Sequence, residues 1–193
     1  ISFYMLPSVT DLTSVMNDIQ SSVLGVIGEG VSSQYIVDSG GWIGTLTQFN
    51  TYSGYWLYMG DSVDTLDISG SCINPNEQYE LHEGLNLISF PVPGTVGITE
   101  GIPDGLEDSV SYIISESVAT AQINGEWVGS LESFNGARGY WFNVDEAMTF
   151  QYDLETIEAL SRQNSMDAVA VNNPFKFSQS EVQSFYFINI ENI

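Results

Sequence analysis

Trp42-Ile43-Gly44-Thr45-Leu46, then Phe49-Asn50 and Gly54-Tyr55-Trp56, recurs 85 residues later as Trp127-Val128-Gly129-Ser130-Leu131, Phe134-Asn135 and Gly139-Tyr140-Trp141. One constant offset across three separate motifs marks an internal repeat. Upstream, Ile1-Ser2-Phe3, Ser22-Val23, Val26-Ile27, Glu29, Val31 and Ile36 match Ile88-Ser89-Phe90, Ser109-Val110, Ile113-Ile114, Glu116, Val118 and Ile123 at an offset of 87. Two residues are therefore gained or lost between Ile36 and Trp42. The second copy has Asn124-Gly125 at that place, and the first has Val37-Asp38-Ser39-Gly40-Gly41. Asn-Gly between β-prone runs is a strong hairpin signal, because both residues accept positive φ in a type I′ turn. A two-residue change at a hairpin tip leaves the alternation of faces intact.

Each copy reads as a first strand around Ile-Ser-Phe, a crossing segment, a strand at Val31–Ile36 or Val118–Ile123, the hairpin, the Trp strand, the Gly-Tyr-Trp strand and a last strand near Thr65–Ser69 or Met148–Tyr152. In the first copy Leu12, Val15, Met16 and Ile19 have helical spacing behind Thr10 or Asp11 as N-cap. In the second, Ile102-Pro103 and Gly105 shorten or break that helix. The expected fold class is all-β. Two tandem antiparallel units cover residues 1–76 and 77–153, each with a short helix or irregular crossover. A non-repeating tail at 154–193 carries a helix and strands. It reads as the start of a third domain or as a docking or exchanged strand. Glu83-Gly84-Leu85-Asn86-Leu87 precedes the second copy without a counterpart ahead of Ile1. The chain is accordingly expected to begin inside a strand, as a mature or trimmed fragment.

Charge narrows the function classes. The 193 residues carry 3 Lys+Arg against 25 Asp+Glu, a formal net charge of −22. Such a surface repels phosphate backbones, which excludes nucleic acid as an expected partner. No apolar run approaches membrane-spanning length, so no membrane insertion is expected. The single cysteine, Cys72, cannot form an internal disulfide and reads as a small buried or turn residue.

No catalytic constellation emerges, and the chain is expected not to be an enzyme. The single histidine, His82, would have to serve any Ser-His-Asp or Cys-His arrangement, and it sits in a polar stretch at the junction of the copies. Asp38-Ser39-Gly40 matches the aspartic-protease triplet, but the second copy lacks the paired aspartate that chemistry needs. No cofactor is expected. Asp61, Asp64 and Asp67 have the residue types for a weak calcium site, against the plainer reading of a solvated loop.

Strand alternation sorts the aromatics. Tyr55, Leu57 and Met59, like Tyr140, Phe142 and Val144, share an apolar face and are expected core. Trp42 and Trp127 are read as core by the same parity. Trp56 and Tyr58, with Trp141, fall on the opposite face. They are the candidates for a glycan-stacking platform, against the plainer reading of packing between units. The terminal strands, with Ile1, Phe3 and Met5 at one end and Phe185, Phe187 and Ile190 at the other, are the candidates for pairing with another copy or a neighbouring domain.

Leu85-Asn86-Leu87-Ile88-Ser89-Phe90-Pro91-Val92, with the Trp-x-Gly-Ser-Leu and Gly-Tyr-Trp strands that follow, resembles a repeat of secreted and cell-surface proteins of environmental, often marine, bacteria and their phages. The resemblance includes the tail segment Gln183-Ser184-Phe185-Tyr186-Phe187. It departs from the pattern at Leu85, where a Trp is usual. It implies extracellular or virion-surface placement in multidomain parents, and names no reaction. The expected function is a structural module of such an assembly, with domain stacking and inter-chain strand pairing. The alternatives are a carbohydrate-binding or adhesive module and an accessory domain of a secreted hydrolase.

Overall fold

The computed structural model describes residues 1–6, 9–60, 64–68, 70 and 73–155 in full, and the backbone of two strands in the tail. The first half runs β1 (Val9–Asp11), α1 (Leu12–Met16), β2 (Val23–Gly28), β3 (Val31–Ile36), β4 (Gly41–Gly44), β5 (Gln48–Asn50), β6 (Trp56–Met59) and β7 (Thr65–Asp67). The second runs β8 (Tyr79–Leu81), β9 (Gly84–Ser89), β10 (Thr95–Gly97), α2 (Ile98–Gly101), β11 (Val110–Ser115), β12 (Val118–Ile123), β13 (Glu126–Gly129), β14 (Ser133–Asn135), β15 (Gly139–Val144) and β16 (Met148–Phe150). The tail strands are β17 (Pro174–Gln179) and β18 (Tyr186–Asn189). The fold is all-β with antiparallel pairing.

The two halves share one topology. The first has a sheet of order β4-β3-β2-β6 beside the pair β1-β5; the second has β13-β12-β11-β15-β9 beside β10-β14. The hairpin difference lies where the offsets change. Ile123 pairs with Glu126 across Asn124-Gly125, whose φ values are 54° and 86°. Ile36 pairs with Gly41 across a four-residue loop ending in Gly40 at φ 65°.

The repeated motifs are explained by contacts that occur twice. At the end of β4 the Ser32 carbonyl accepts from Thr45 N (2.8 Å) and Leu46 N (3.1 Å); at the end of β13 the Ala119 carbonyl accepts from Ser130 N (2.8 Å) and Leu131 N (3.0 Å). This approach requires glycine: a Cβ on Gly44 or Gly129 would stand 2.2 Å from that carbonyl oxygen. The following Thr45 or Ser130 hydroxyl accepts from the N–H of Ser32 or Ala119 at 3.3 Å, and Leu46 and Leu131 enter the core. The Tyr55 and Tyr140 hydroxyls accept from Asn50 N (2.7 Å) and Asn135 N (2.6 Å). Their rings meet Phe49 and Phe134 edge-on, an arrangement aromatic quadrupoles favour.

Two apolar clusters result. One gathers Phe3, Leu12, Met16, Ile19, Phe49 and Tyr55 with their neighbours. The other is an aromatic stack of Phe90, Phe134, Tyr140, Phe142, Phe150 and Tyr152. In the first, α1 is capped by Asp11, whose side chain accepts from Ser14 N at 2.9 Å. A 3-10 turn continues it over Asn17–Ile19. Its counterpart α2 has four residues and stops before Pro103. Tyr55, Leu57, Met59, Tyr140, Phe142 and Val144 are all buried, as alternation required. Trp42 and Trp127 are half-buried at the rims of their cores rather than inside them. The Trp127 indole N–H donates to Glu107 at 2.9 Å.

In the tail, β17 pairs with β18 on one side and with β7 on the other, so these strands close onto the first half of their own chain. Phe187 lies in β18. Phe185, Ile190, Asp61 and Cys72, the proposed strand at 166–171 and the helical residues Ile157 and Leu160 lie outside the described residues.

Candidate functional site

Of the residues read as functional, Ile1 and Trp56 lie at the junction between the halves, beside Gly139. Gly54 and Gly139, the glycines of the two Gly-Tyr-Trp motifs, face each other. A Cβ built on Gly139 would lie 2.7 Å from the Gly54 Cα, and one on Gly54 would lie 2.9 Å from the Gly139 Cα. Around this point the contacts are reciprocal. Ser89 N donates to the Tyr52 carbonyl and Ser2 N to the Ala137 carbonyl, both at 2.9 Å. Tyr52 and Ala137 differ by 85 and Ser2 and Ser89 by 87, so a pseudo-twofold relates the two bonds. Each half inserts its Ile-Ser strand between its own Gly-Tyr strand and the turn of the other.

Glu29 and Glu116, at the tips of the β2–β3 and β11–β12 hairpins, belong to this arrangement. Glu29 Oε2 accepts from Leu87 N at 2.7 Å, which satisfies an amide on the outer edge of β9. Glu116 acts on the Ile1 amine, the matching part of the first half. Burial pushes that amine down to about 5, Glu116 pulls it back up, and Arg138 adds to the lowering. The amine donates to the Tyr55 carbonyl at 2.8 Å.

His82 closes the other side of Glu29. Its Nε2 lies 2.6 Å from Glu29 Oε1 and its Nδ1 2.8 Å from the Glu83 carbonyl. With an acceptor at both ring nitrogens, the carbonyl and then the carboxylate raise the imidazole above its usual value. A raised folded pKa adds stability that is present below the unfolded value of about 6.5 and fades as pH rises through the folded one. The protection factor of the Leu87 amide, with the intrinsic pH dependence of exchange removed, is therefore expected to fall modestly as pH rises above about 6.5, the ring being largely solvated. In His82→Ala this step should vanish from hydrogen-exchange profiles.

The sheet faces opposite the cores hold the remaining candidates. In the first half Trp56, Ile27 and Ser32 form one cross-strand row, and Tyr58, Gly25, Gln34 and Ile43 a second. In the second half the rows are Leu87-Trp141-Ile114-Ala119 and Leu85-Asn143-Tyr112-Ala121-Val128. None of the four rows contains an acidic residue, in a chain with 25 of them. Tyr58 is 61% exposed, while Trp56 and Trp141 are half-buried. Phe3 and Met5 are core residues.

Of the proposed calcium ligands, Asp64 is occupied by Ser22 Oγ (2.7 Å) and Thr65 N (2.8 Å), and Asp67 points outward from β7. Among the described residues no three His, Cys, Asp or Glu side chains stand together as a metal site. The reciprocal glutamates were absent from the sequence-based candidates, although Glu29 and Glu116 are matched positions of the repeat.

The fold and junction define an all-β chain of two topologically equivalent units locked about a pseudo-twofold. The chain matches no protein-family model, no curated protein and no solved structure.

Proposed function

We propose that the chain is a non-enzymatic structural module of an extracellular or surface assembly, in which two β units form one stiff connector. The observation that carries this is the reciprocal junction. Paired backbone bonds and facing glycines fix the orientation of the units, where a flexible linker would leave it free. The acid-rich surface supports an exposed, soluble setting. Partners are then neighbouring domains or further copies. Analytical ultracentrifugation with negative-stain microscopy tests it: end-to-end oligomers or filaments are expected as ionic strength rises and screens the −22 charge. A strict monomer at all salt concentrations overturns the assembly.

A second reading is favoured by Tyr58, exposed beside Trp56 on a charge-free face that also offers Ser32 and Gln34 as hydrogen-bonding neighbours. It makes this face a platform for neutral glycans, whose C–H surfaces suit aromatic rings. Tyr58→Ala is expected to shift stability by no more than about 0.5 kcal/mol, as at other exposed positions. The same variant should lose retention on any glycan the parent chain binds. Unchanged retention removes this reading.

A further inference from the structure

The two large sheets meet near β6 and β9, where Gly54 N donates to the Leu87 carbonyl. That leaves β4 and β13 as the outermost strands at the far ends. Among the described strands β4 is held by β3 alone, with Tyr35 opposite Trp42, Gln34 opposite Ile43 and Ser33 opposite Gly44. One step further, Thr45 N donates to the Ser32 carbonyl at 2.8 Å. Hydrogen-bonded pairs alternate along an antiparallel ladder. The bonded positions of β4 are therefore Thr45 and Ile43, and Trp42 and Gly44 turn their backbone groups away from β3. No backbone partner meets them there among the described residues. The bond from Ser130 N to the Ala119 carbonyl sets the same phase in β13. Open edges are templates for further strands, and a charged side chain is a common guard against such pairing. β13 carries that guard and β4 does not. Glu126 and Glu132 are exposed, on β13 and just after it. The repeat puts Gly41 and Thr47 at those places in the first half, and residues 39–60 hold no charged side chain in a chain with 25 acidic ones. Ile43, in the middle of the β4 edge, is 59% exposed.

We propose that β4 is a self-pairing edge whose partner is the β4 of a second copy of this chain. Antiparallel pairing about a twofold through Ile43 satisfies the outward groups on both sides, because Trp42 of each copy exchanges backbone bonds with Gly44 of the other. Ile43 then meets Ile43 as a non-hydrogen-bonded pair, the closer kind, with Cα atoms about 4.5 Å apart. The two exposed side chains cover each other as a cross-strand pair. Each Trp42, which packs on the first core, stands opposite a glycine, so no side chain blocks its ring. Gly41 falls opposite Thr45. No carboxylate is brought opposite another, which decides the matter for two chains of net charge −22. The same register at β13 would carry two Glu126 side chains to the seam. A twofold pairing closes at two copies, so β4 joins chains in pairs and leaves β13 at the outer ends. This identifies an interface for the assembly proposed above and rests on that reading.

Sedimentation velocity of the full chain over a range of concentrations is expected to show a monomer–dimer equilibrium that strengthens with ionic strength, as the charge on the rest of the surface is screened. Ile43→Glu sets two carboxylates directly opposite each other and should weaken the dimer at least about tenfold. Val128→Glu is the repeat-equivalent change on β13, at a residue 52% exposed. It adds the same charge and should leave the dimer unaltered. Ile43→Lys alone should also fail to pair, and an equimolar mixture with Ile43→Glu should recover the dimer, which a folding defect in either variant would not allow. In the parent chain the Trp42 and Gly44 amides should gain exchange protection as concentration rises. Equal loss in Ile43→Glu and Val128→Glu overturns the β4 edge, as does a mixture that does not recover. Oligomers indifferent to Ile43→Glu overturn it too and leave the assembly reading standing. A strict monomer overturns both.

Discussion

Gly139→Ala is expected to separate the two units. The added methyl would sit 2.7 Å from the Gly54 Cα and 2.9 Å from the Ile1 carbonyl oxygen. Both obstacles are backbone, so no rotamer change relieves the contact and the halves must move apart. Overpacking of this kind costs about 1–3 kcal/mol and more where the surroundings cannot yield. The movement would also stretch the paired bonds from Ser2 and Ser89. The expected result is a fall of about 3 kcal/mol or more, with one unfolding transition resolving into two as coupling is lost. Gly54→Ala should behave alike, because the same approach is seen from the other side. Gly105→Ala is the control: nothing lies within 4 Å of a Cβ there, and it should stay within about 0.5 kcal/mol of the parent. Differential scanning calorimetry with amide exchange at Ser2 and Ser89 reads all three. A junction variant that keeps a single transition and full protection at those amides removes the locked-connector model.

That junction shows where reading the sequence stops. The Gly-Tyr-Trp motif was legible as a strand with a buried face, because alternation assigns Tyr55 and Tyr140 inward without further information. Its glycine was not. A strand glycine signals a bulge or a close backbone approach, but only the three-dimensional arrangement shows that the approaching backbone is the other copy of the same glycine. The hairpin was placed to the residue by Asn124-Gly125, since turn chemistry is local. Glu29 and Glu116 were visible as a matched pair, yet a matched acidic residue among 25 carries no directional information. Its role depends on which amide the hairpin tip reaches, and that is set by how the units dock. Trp56 and Tyr58 illustrate the same limit from the other side. Parity put them on one outer face, and only the structure separates an exposed Tyr58 from a Trp56 that walls a pocket.

Alkaline solution should unfold the chain through its second core. Burial raises the phenols of Tyr79, Tyr140 and Tyr152, Tyr140 being pushed up to about 12. Tyr79 contacts Ser89 Oγ at 3.2 Å, and Tyr140 accepts from Asn135 N, but neither bond offsets desolvation. A raised folded pKa means that the native state keeps its phenolic protons while the unfolded chain releases them near pH 10. These phenols therefore leave stability unaffected well below pH 10 and lower it above. Each phenol kept un-ionised in the native state contributes about 1.4 kcal/mol per pH unit, so the raised set, which also includes Tyr55, removes several kcal/mol per unit. Against a typical total of about 5–15 kcal/mol, cooperative unfolding follows between about pH 11 and 13. Absorbance at the phenolate band should show the buried set ionising together with loss of the β signal. Tyr152→Phe sharpens the test. The Tyr152 hydroxyl is buried with no hydrogen-bond partner among the described residues, so its removal should be neutral or stabilising by about 1 kcal/mol at pH 7. The same change should lower the alkaline slope. A buried set that ionises near pH 10 without unfolding would mean that the aromatic core admits water, and the packing described for Phe134, Phe142, Phe150 and Tyr152 would not stand.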